Sequence, residues 1–469
     1  MHSRSLTLLA RILLPVAGLG LPTLAAAQAT PAVSTIVAFN GSFPQSPPIL
    51  GTDGALYGTT SASSSVTGGL IYRTTVDGTD VQTIYQLALT DGYQPQGGLL
   101  LRGDGRLYGT TRLGDVYQAS TTGTIFSLAQ DGSGYTTLHR FAAFTSRNTK
   151  LGPINTNGAY PESALVEGSD GFLYGVTRNG GPNGTGVVFK ISPDGTGFQV
   201  LHAFSAITSA ENSSFLENAD GASPLDGVIE GADGYFYGVT YEGGANGRGT
   251  IYRLKFDGSG FQTLHVFSAT TTVEGIAVNV DGTFPAAGLT DGGDGTFYGT
   301  AASGGPDGLG TLFAISPDGS TFNVLHDFVA TGGSRPGGAL LLGDDGRLYG
   351  TTTAGGTDSA GALRNFGTIF AIARDGTGHT KLHDFDNENG VGPNGKLVRL
   401  SATALAGITS GGGDCGQGTL YYFSFTGDTV EGNTRCGRRK NYDSGGGSTG
   451  PALLLLLGLL GGARRFRVA

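Results

Sequence analysis

The octapeptide "DGRLYGTT" occurs twice in the chain, at Asp104 to Thr111 and again at Asp345 to Thr352. It belongs to a longer repeat. Related phrases begin at Asp53, Asp170, Asp233 and Asp294, and a degenerate copy, "TALAGITSGG", begins at Thr403. The glycine at the centre of each phrase recurs every 51 to 66 residues. A period of about 50 residues is typical of propeller repeats such as kelch, and slightly longer periods remain compatible with that architecture.

Each repeat contains four short apolar runs separated by glycine-rich turns. In the repeat from Tyr160 to Phe204, the runs are centred on "SALVE", "FLYGVT", "GVVFKI" and "FQVLHAF". Two Asp-Gly pairs, Asp170-Gly171 and Asp194-Gly195, supply the residues that tight hairpins need, because glycine adopts positive φ at little cost. The pattern predicts an all-β fold built from four-stranded antiparallel blades, a β-propeller.

The ends of the repeat array predict how the ring closes. The segment "VSTIVAF", Val33 to Phe39, matches a fourth strand but precedes the first full repeat. The seventh copy has three strands, ending at "GTLYYF", and lacks the fourth. The strand missing at one end is therefore present at the other. We predict seven blades over residues 30–431, with the N-terminal strand completing the last blade.

Composition excludes several classes of protein. The chain has 469 residues, of which 85 are glycine and 18 are proline, but no Gly-X-Y period runs through it, so it is not collagen. The regular apolar clusters argue against a disordered low-complexity chain. A net charge of -9 without long basic runs makes nucleic acid an unsuitable partner.

Both termini differ from the repeats. Residues 1–29 contain Arg4 and Arg11, an apolar run and the small-residue stretch "AAAQA", which is the pattern of a cleaved signal peptide; an uncleaved anchor is the alternative. Residues 432–449 form a glycine-rich linker. Residues 450–469 contain a short apolar segment followed by three arginines. That segment is short for a membrane span, so it is either a sorting segment, a weak anchor or a tail helix.

These features resemble two known patterns. The repeat "GTIFxIxxDGTGxxxLHxF" with "DGxLYGTT" is similar to the GloVer tandem repeat of bacterial surface proteins, a family with a variable choice of C-terminal anchor. The tail resembles the GlyGly-CTERM sorting signal, which implies processing near Gly445, Gly446 and Gly447 by the rhomboid-like protease rhombosortase. The resemblance implies an exported protein at the bacterial cell surface or outside the cell, tethered to the membrane only through its tail before processing. It implies no chemistry for any residue.

Repeated polar residues are expected to serve the scaffold. Histidines recur in the Leu-His-x-Phe context on successive fourth strands, at His139, His202, His265, His326 and His383. One histidine per blade at the rim cannot converge on one metal ion, and the Asp-Gly turns lack the ligand spacing of a calcium loop. The tyrosines of the octapeptide are expected to be packing residues. We predict no metal and no cofactor.

The two cysteines, Cys415 and Cys436, lie in or just after the seventh repeat. In an exported protein a disulfide between them is the natural expectation, and it would contribute roughly 3 kcal/mol by constraining the unfolded chain. A metal-binding or nucleophilic role is the alternative.

Differences between repeats indicate where function is placed. The connections after the second, third and fourth copies expand into long polar loops, "AAFTSRNTKLGPINTNGAYP", "SAITSAENSSFLENADGASP" and "SATTTVEGIAVNVDGTFP". All three are expected on one face, where recognition is often located. The candidate ligand-binding residues on these loops are Asn155, Asn157, Glu211, Glu217, Asn218 and Glu274. The alternative is that the loops are tolerated insertions.

Two functions remain open at this stage. The first is a non-catalytic module that binds an extracellular protein or glycan through the long-loop face. The second is a hydrolase or lyase acting on polysaccharide, which needs two carboxylates converging in a cleft. Glu211, Glu217 and Glu274 are the candidates for that pair.

Overall fold

A computed structural model describes residues 30–62, 68–115, 122–148, 152–209 and 214–434. These residues form strands and turns, and no helix occurs among them that is long and apolar enough to cross a membrane. Residues 1–29 and 435–469, which contain the predicted signal peptide, Cys436, the sorting glycines Gly445, Gly446 and Gly447, and the apolar tail, lie outside the described residues.

The described strands form seven small antiparallel sheets, the blades of a β-propeller. Blade 1 contains Ser42–Pro44, Ile49–Leu50, Leu56–Ala62, Leu70–Thr74 and Val81–Gln86. Blade 2 contains Leu100–Leu101, Arg106–Thr111, Thr124–Ala129 and Thr136–Arg140. Blade 3 contains Val166–Glu167, Leu173–Thr177, Val187–Ile191 and Gln199–Ala203. Blade 4 contains Ile229–Glu230, Tyr235–Thr240, Thr250–Lys255 and Gln262–Val266. Blade 5 contains Thr290–Asp291, Phe297–Ala301, Thr311–Ile315 and Phe322–Asp327. Blade 6 contains Ser334–Pro336, Leu341–Leu342, Arg347–Ala354, Thr368–Ala373 and Thr380–Asp384. Blade 7 contains Val391–Ser401, Ala404–Gly411, Thr419–Ser424 and Ala32–Ala38.

The N-terminal strand closes the ring as predicted. Ala32–Ala38 pairs antiparallel with Thr419–Ser424, and Ala32 lies opposite Ser424. Ile36 is fully buried and packs in a core cluster with Leu420 and with residues of blade 1. The outer edge of blade 7 is therefore covered by the other end of the chain, and the ring has seven blades.

The strand order places the first strand of each blade at the axis. The short first strands of blades 5, 6, 7 and 1 contact one another in turn, whereas the fourth strands have partly exposed side chains. Consequently the Asp-Gly turns lie on one face, which we call the turn face. The connections between second and third strands, and those between successive blades, lie on the opposite face, which we call the loop face.

The repeated octapeptide can be explained residue by residue in its second copy. Asp345 accepts a hydrogen bond from the backbone N–H of Arg347 at 3.1 Å and from the hydroxyl of Tyr349 at 2.7 Å. Gly346 has φ of +77°, as the turn requires. A Cβ on Gly350 would lie 2.5 Å from the ring of Phe370 on the neighbouring strand. Aspartate, tyrosine and both glycines are thus required by local geometry.

The histidines of the fourth strands join neighbouring blades by stacking. His139 stacks on Phe198 with ring centroids 3.8 Å apart, and His202 stacks on Phe261 at 3.6 Å. His326 instead faces a second histidine, His379, at 4.1 Å. Within the described ranges, no group of three or more histidine, cysteine or acidic side chains is arranged to hold a metal ion.

Candidate functional site

Two of the three long connections fold into small hairpins on the loop face. Ser146–Asn148 pairs with Gly152–Ile154, and Thr271–Val273 pairs with Ile276–Val278. The backbone of Asn155 donates to Gly181 at 3.2 Å, which fixes the first long loop against the connection between the second and third strands of blade 3. The long loops and these connections therefore share one face, as their positions in the repeat predict.

Asn155 and Asn218 are buried at the bases of their loops, with 2% and 4% of their surface exposed. The side-chain amide of Asn218 donates to the carbonyls of Ser205 and Gly221, and its oxygen accepts from the N–H groups of Gly221 and Gly244. Asn155 makes the equivalent four bonds, and Asn279, which the sequence analysis did not select, does the same in the third loop. These amides hold the loops in place, and their polar atoms are engaged within the fold.

Asn157 also contacts the scaffold. Its side chain lies 3.1 Å from Nε2 of His139 and accepts the N–H of Ala142 at 2.7 Å. Aspartates take its place in the next two loops: Asp220 bonds His202 at 2.9 Å and Asp281 bonds His265 at 3.0 Å. The sequence signal is the phrase Asn-x-Asp/Asn-Gly before blades 3, 4, 5 and 7, which the prediction overlooked.

The candidate glutamates are distributed over two loops. Glu274 occupies the left-handed position at the tip of the Thr271–Val273 hairpin, with φ of +50°. Glu217 lies in the preceding long loop, where its backbone carbonyl accepts the N–H of Thr208. Among the described residues, neither carboxylate has a hydrogen-bond or ion-pair partner. Glu211 lies outside the described residues, so the pairing of carboxylates that a hydrolase needs stays a prediction.

Cys415 is disulfide-bonded and lies in the second-to-third-strand connection of blade 7. Its predicted partner Cys436 lies beyond residue 434, where the described part of the chain ends. The pairing of Cys415 with Cys436 therefore stays a prediction.

A different set of residues surrounds the axis on the loop face. A proline recurs at the same position of the repeat, and in five blades the residue before it has a left-handed backbone, with φ of 56° to 60°. These residues are Gln94, Tyr160, Ser223, Phe284 and Arg335. Each donates its N–H to a carbonyl of the preceding blade at 2.8 to 2.9 Å. Left-handed non-glycine residues cost of order 1 to 3 kcal/mol each, and these bonds between blades maintain the strained conformation. We call this set the mouth ring.

The side chains of the mouth ring vary, and one part of the ring forms a charged network. Arg112 donates to Glu162 at 2.6 Å and to the side chain of Gln94 at 3.1 Å, and its guanidinium lies 5.0 Å from the ring centre of Tyr160. Arg178 lies 3.5 Å from the same carboxylate. Glu162 is only 11% exposed, whereas the side chains of Arg112 and Arg178 are 30% and 40% exposed. The carboxylate is thus fixed beneath two guanidinium groups that reach solvent.

An aromatic pair continues the site into blades 4 and 5. Tyr241 and Phe284 stack with ring centroids 5.1 Å apart, and both are partly exposed. Burial raises the pKa of Tyr241 and Glu242 adds to this, while Arg178 and Arg335 oppose it. Cations from blades 3 and 6 therefore act on the same tyrosine hydroxyl.

The axis itself is lined by small residues at one layer. Three residues after the proline, five of the blades have glycine or alanine: Gly98, Ala164, Gly227, Gly288 and Ala339. A Cβ on Gly98 would lie 3.4 Å from that of Ala164, and one on Gly227 would lie 3.0 Å from the carbonyl of Ala164, so neighbouring blades touch here. Blade 7 has Lys396 at this position.

The side chain of Lys396 is accessible to solvent, but surrounding protein atoms partly desolvate its ammonium group. This desolvation lowers its pKa, and the carboxylate of Asp226 opposes the shift. Asp226 belongs to blade 4, where it directly precedes Gly227 of the layer of small residues, so both residues belong to this layer of the ring. Asp226 accepts the N–H groups of Gly227 and Gly288 at 2.8 and 2.7 Å. Among the described residues, the ammonium of Lys396 has no hydrogen-bond or ion-pair partner.

A groove of about 230 Å³ lies on the turn face between blades 6 and 7. Its charged lining residues are already engaged: Arg399 pairs with Asp344, and Asp345 accepts the hydroxyl of Tyr349. The mouth ring has partly exposed aromatic rings and charged groups that reach solvent. The charged residues of the groove are paired with each other or with Tyr349, so we consider the mouth ring the better candidate site.

The sequence profile of the Gloeobacter/Verrucomicrobia repeat matches residues 24–216, 208–363 and 268–455. These three matches together span the whole ring. The chain belongs to the Gloeobacter/Verrucomicrobia repeat family. This membership confirms the predicted tandem-repeat resemblance; the sorting tail stays a prediction. A search of curated proteins gives no significant match.

Solved structures share the fold at low sequence identity. A GH74 enzyme from Niastella koreensis is 17% identical, with a TM-score of 0.50 over 80% of this chain and 52% of that chain. A GH74 xyloglucanase from Xanthomonas campestris is 14% identical, with a TM-score of 0.49 over 81% of this chain and 52% of that chain. This repeat protein thus spans about half the length of these enzymes. At such identity the likeness concerns the propeller fold alone.

Proposed function

We propose that this repeat protein is an exported module that binds a glycan, without catalysis, through the mouth ring on the loop face. The observation that carries the proposal is the fixed network of Arg112, Glu162 and Arg178 beside Tyr160, with the Tyr241–Phe284 stack close by. Sugar rings present apolar C–H faces and many hydroxyls. A site that combines partly exposed aromatic rings with a few oriented polar groups suits that chemistry.

The geometry favours binding over a structural role for this network. Glu162 and the arginines come from blades 2 and 3, and the aromatic pair comes from blades 4 and 5, so the set spans four neighbouring blades on the loop face. The backbone positions of Tyr160 and Phe284 are held by bonds to the preceding blade at 2.8 and 2.9 Å. Side chains on such a fixed backbone lose little freedom on binding, which favours affinity.

The test uses two tyrosines at opposite ends of one strand. Tyr241 follows the loop-face end of Tyr235–Thr240, and Tyr235 begins its turn-face end, beside Arg253 at 4.6 Å. The purified full chain is screened against glycans, and Tyr241→Ala is compared with Tyr235→Ala. We expect Tyr241→Ala to weaken binding about tenfold or more and Tyr235→Ala to leave it unchanged. Equal losses, or no glycan binding by the parent chain, would contradict the proposal.

Export rests on the sequence of the two termini. We propose that residues 1–29 are removed and that a rhomboid-like sorting protease cuts near Gly445, Gly446 and Gly447. Mass spectrometry of the protein recovered outside the cytoplasm tests this directly. The expected N-terminus lies near residue 30 and the expected C-terminus near the glycines. Recovery of the intact chain from the cytoplasm would contradict it.

A further inference from the structure

Around the mouth ring four cations, Arg112, Arg178, Arg335 and Lys396, outnumber three carboxylates, Glu162, Asp226 and Glu242. Each nearby carboxylate is engaged: Glu162 by two arginines, Asp226 by two backbone N–H groups, and Glu242 by the hydroxyl of Ser223 at 3.1 Å. Arg335 is exposed, and its guanidinium makes no bond or ion pair within the described ranges. Lys396 is likewise without a partner there. Two exposed cations without a partner among the described residues thus belong to this part of the loop face, in a chain whose net charge is -9.

The two cations occupy different positions of the repeat, Arg335 immediately before the proline and Lys396 three residues after it. Arg335 stands in the mouth ring, where it acts on the hydroxyl of Tyr241 from two blades away. Lys396 stands at the layer of small residues where the other blades leave space. Any larger side chain at Gly98 or Gly227 would meet the neighbouring blade. The small residues leave the axial space to the lysine and to whatever enters from the loop face.

We propose that the glycan bound here is anionic and that its acidic substituent pairs with Lys396 and Arg335 on the loop face. The inference rests on the proposed function and specifies its ligand. A carboxylate and a sulfate ester share the required chemistry: both accept charge-assisted hydrogen bonds from an ammonium and a guanidinium. Tyr160 and Tyr241 would contact the sugar ring, while the cations hold its acidic group.

The experiment compares matched ligands on the full chain. Oligogalacturonate is measured against its carboxyl-reduced form, and a sulfated galactan against its desulfated form. We expect at least one acidic member to bind about tenfold more tightly than its neutral counterpart, and this preference to weaken as salt is added. The pair that shows the preference distinguishes carboxylate from sulfate recognition.

Lys396→Met and Arg335→Met locate the site. Both retain the apolar stem, and neither residue has a side-chain partner to lose within the described part of the chain. Each is expected to remove most of the preference for the acidic glycan while leaving the melting temperature unchanged. Arg253→Met on the turn face is the control and should preserve the preference.

Each outcome decides between the two proposals. Equal binding of acidic and neutral glycans, lost in Tyr241→Ala, would support glycan binding but overturn anion recognition. A preference for acid that survives Lys396→Met and Arg335→Met would overturn pairing with these two cations. No binding of any glycan would overturn both proposals together.

Discussion

Tyr349 donates its hydroxyl to the carboxylate of Asp345 at 2.7 Å, across the tight turn that begins the blade's second strand. The same Asp–Tyr pair recurs in five other blades, at 2.6 to 3.2 Å: Asp53–Tyr57, Asp104–Tyr108, Asp170–Tyr174, Asp233–Tyr237 and Asp294–Tyr298. Burial and the aspartate raise the pKa of Tyr108 to about 12. The pair therefore explains why aspartate and tyrosine are always four residues apart.

Removing this hydroxyl should destabilise the blade. Tyr349→Phe leaves a charged acceptor without its donor, and we expect a loss of about 1.5 to 3 kcal/mol in the free energy of unfolding. Tyr252→Phe is the matched control, because the Tyr252 hydroxyl is buried and has no partner within the described ranges. That change should be neutral or stabilising. Urea denaturation of both variants measures the difference, and equal effects would show that the Asp–Tyr bond contributes nothing.

The stacked pair His326 and His379 predicts a sensitivity to acid. Burial, aided by His326 and Arg347, lowers the pKa of His379 to about 4. As pH falls below 6.5, the unfolded chain binds a proton at this residue and the folded chain does not. The fold should thus lose roughly 1 to 2 kcal/mol between pH 6.5 and 5 from this group.

His379→Phe should reduce that loss. Blades 3, 4 and 5 have phenylalanine at the equivalent position, and Nε2 of His379 is buried without a partner among the described residues. We expect the variant to be about 1 kcal/mol more stable at pH 7 and to show a shallower decline in melting temperature toward pH 5. A decline as steep as that of the parent would mean that other groups cause the acid sensitivity.

Closure by the N-terminal strand can be tested with one core residue. Ile36 is fully buried between blades 7 and 1, so Ile36→Ala should cost about 2 to 5 kcal/mol. Its neighbour Thr35 is partly exposed, and Thr35→Ala should change stability by less than about 0.5 kcal/mol. Thermal unfolding of both variants decides the point. A silent Ile36→Ala would be incompatible with a strand that completes the ring.

The loop asparagines predict a separation between stability and binding. Asn218→Ala leaves two N–H groups and two carbonyls without their side-chain partner, and should cost about 1 to 3 kcal/mol. Glu274→Gln at the exposed hairpin tip should cost nothing measurable. Melting temperature and glycan affinity are recorded for both variants. Lost affinity at unchanged stability in Asn218→Ala would instead support direct ligand contact by this residue.

The fold was predictable because its determinants are periodic. Asp345, Tyr349 and Gly350 repeat in blade after blade, and the unpaired fourth-strand pattern at Val33 to Phe39 indicated how the ring closes. The site was less accessible to sequence reasoning. We expected binding residues in the non-periodic loops; Asn155 and Asn218 brace these loops as members of a repeated motif, and ligand binding by the loops stays a prediction.

The sequence analysis did not identify the mouth ring, because it searched the non-periodic loops and the mouth ring occupies a periodic position. Tyr160, Phe284 and Arg335 occupy a periodic position, immediately before the proline that lies five residues ahead of the first strand, and only the side chain differs between these blades. Their left-handed backbone and their proximity to the axis are consequences of bonds between blades, which a single sequence does not reveal. Variation at one otherwise regular position was the available signal.

The most direct test of the central claim is a crystal structure of the full chain with a bound acidic oligosaccharide. The account predicts a sugar ring against Tyr160 or Tyr241 and the acidic group within about 3 Å of Lys396 or Arg335. An oligosaccharide bound on the turn face, or along the hairpin tips without contact to Lys396 or Arg335, would contradict it.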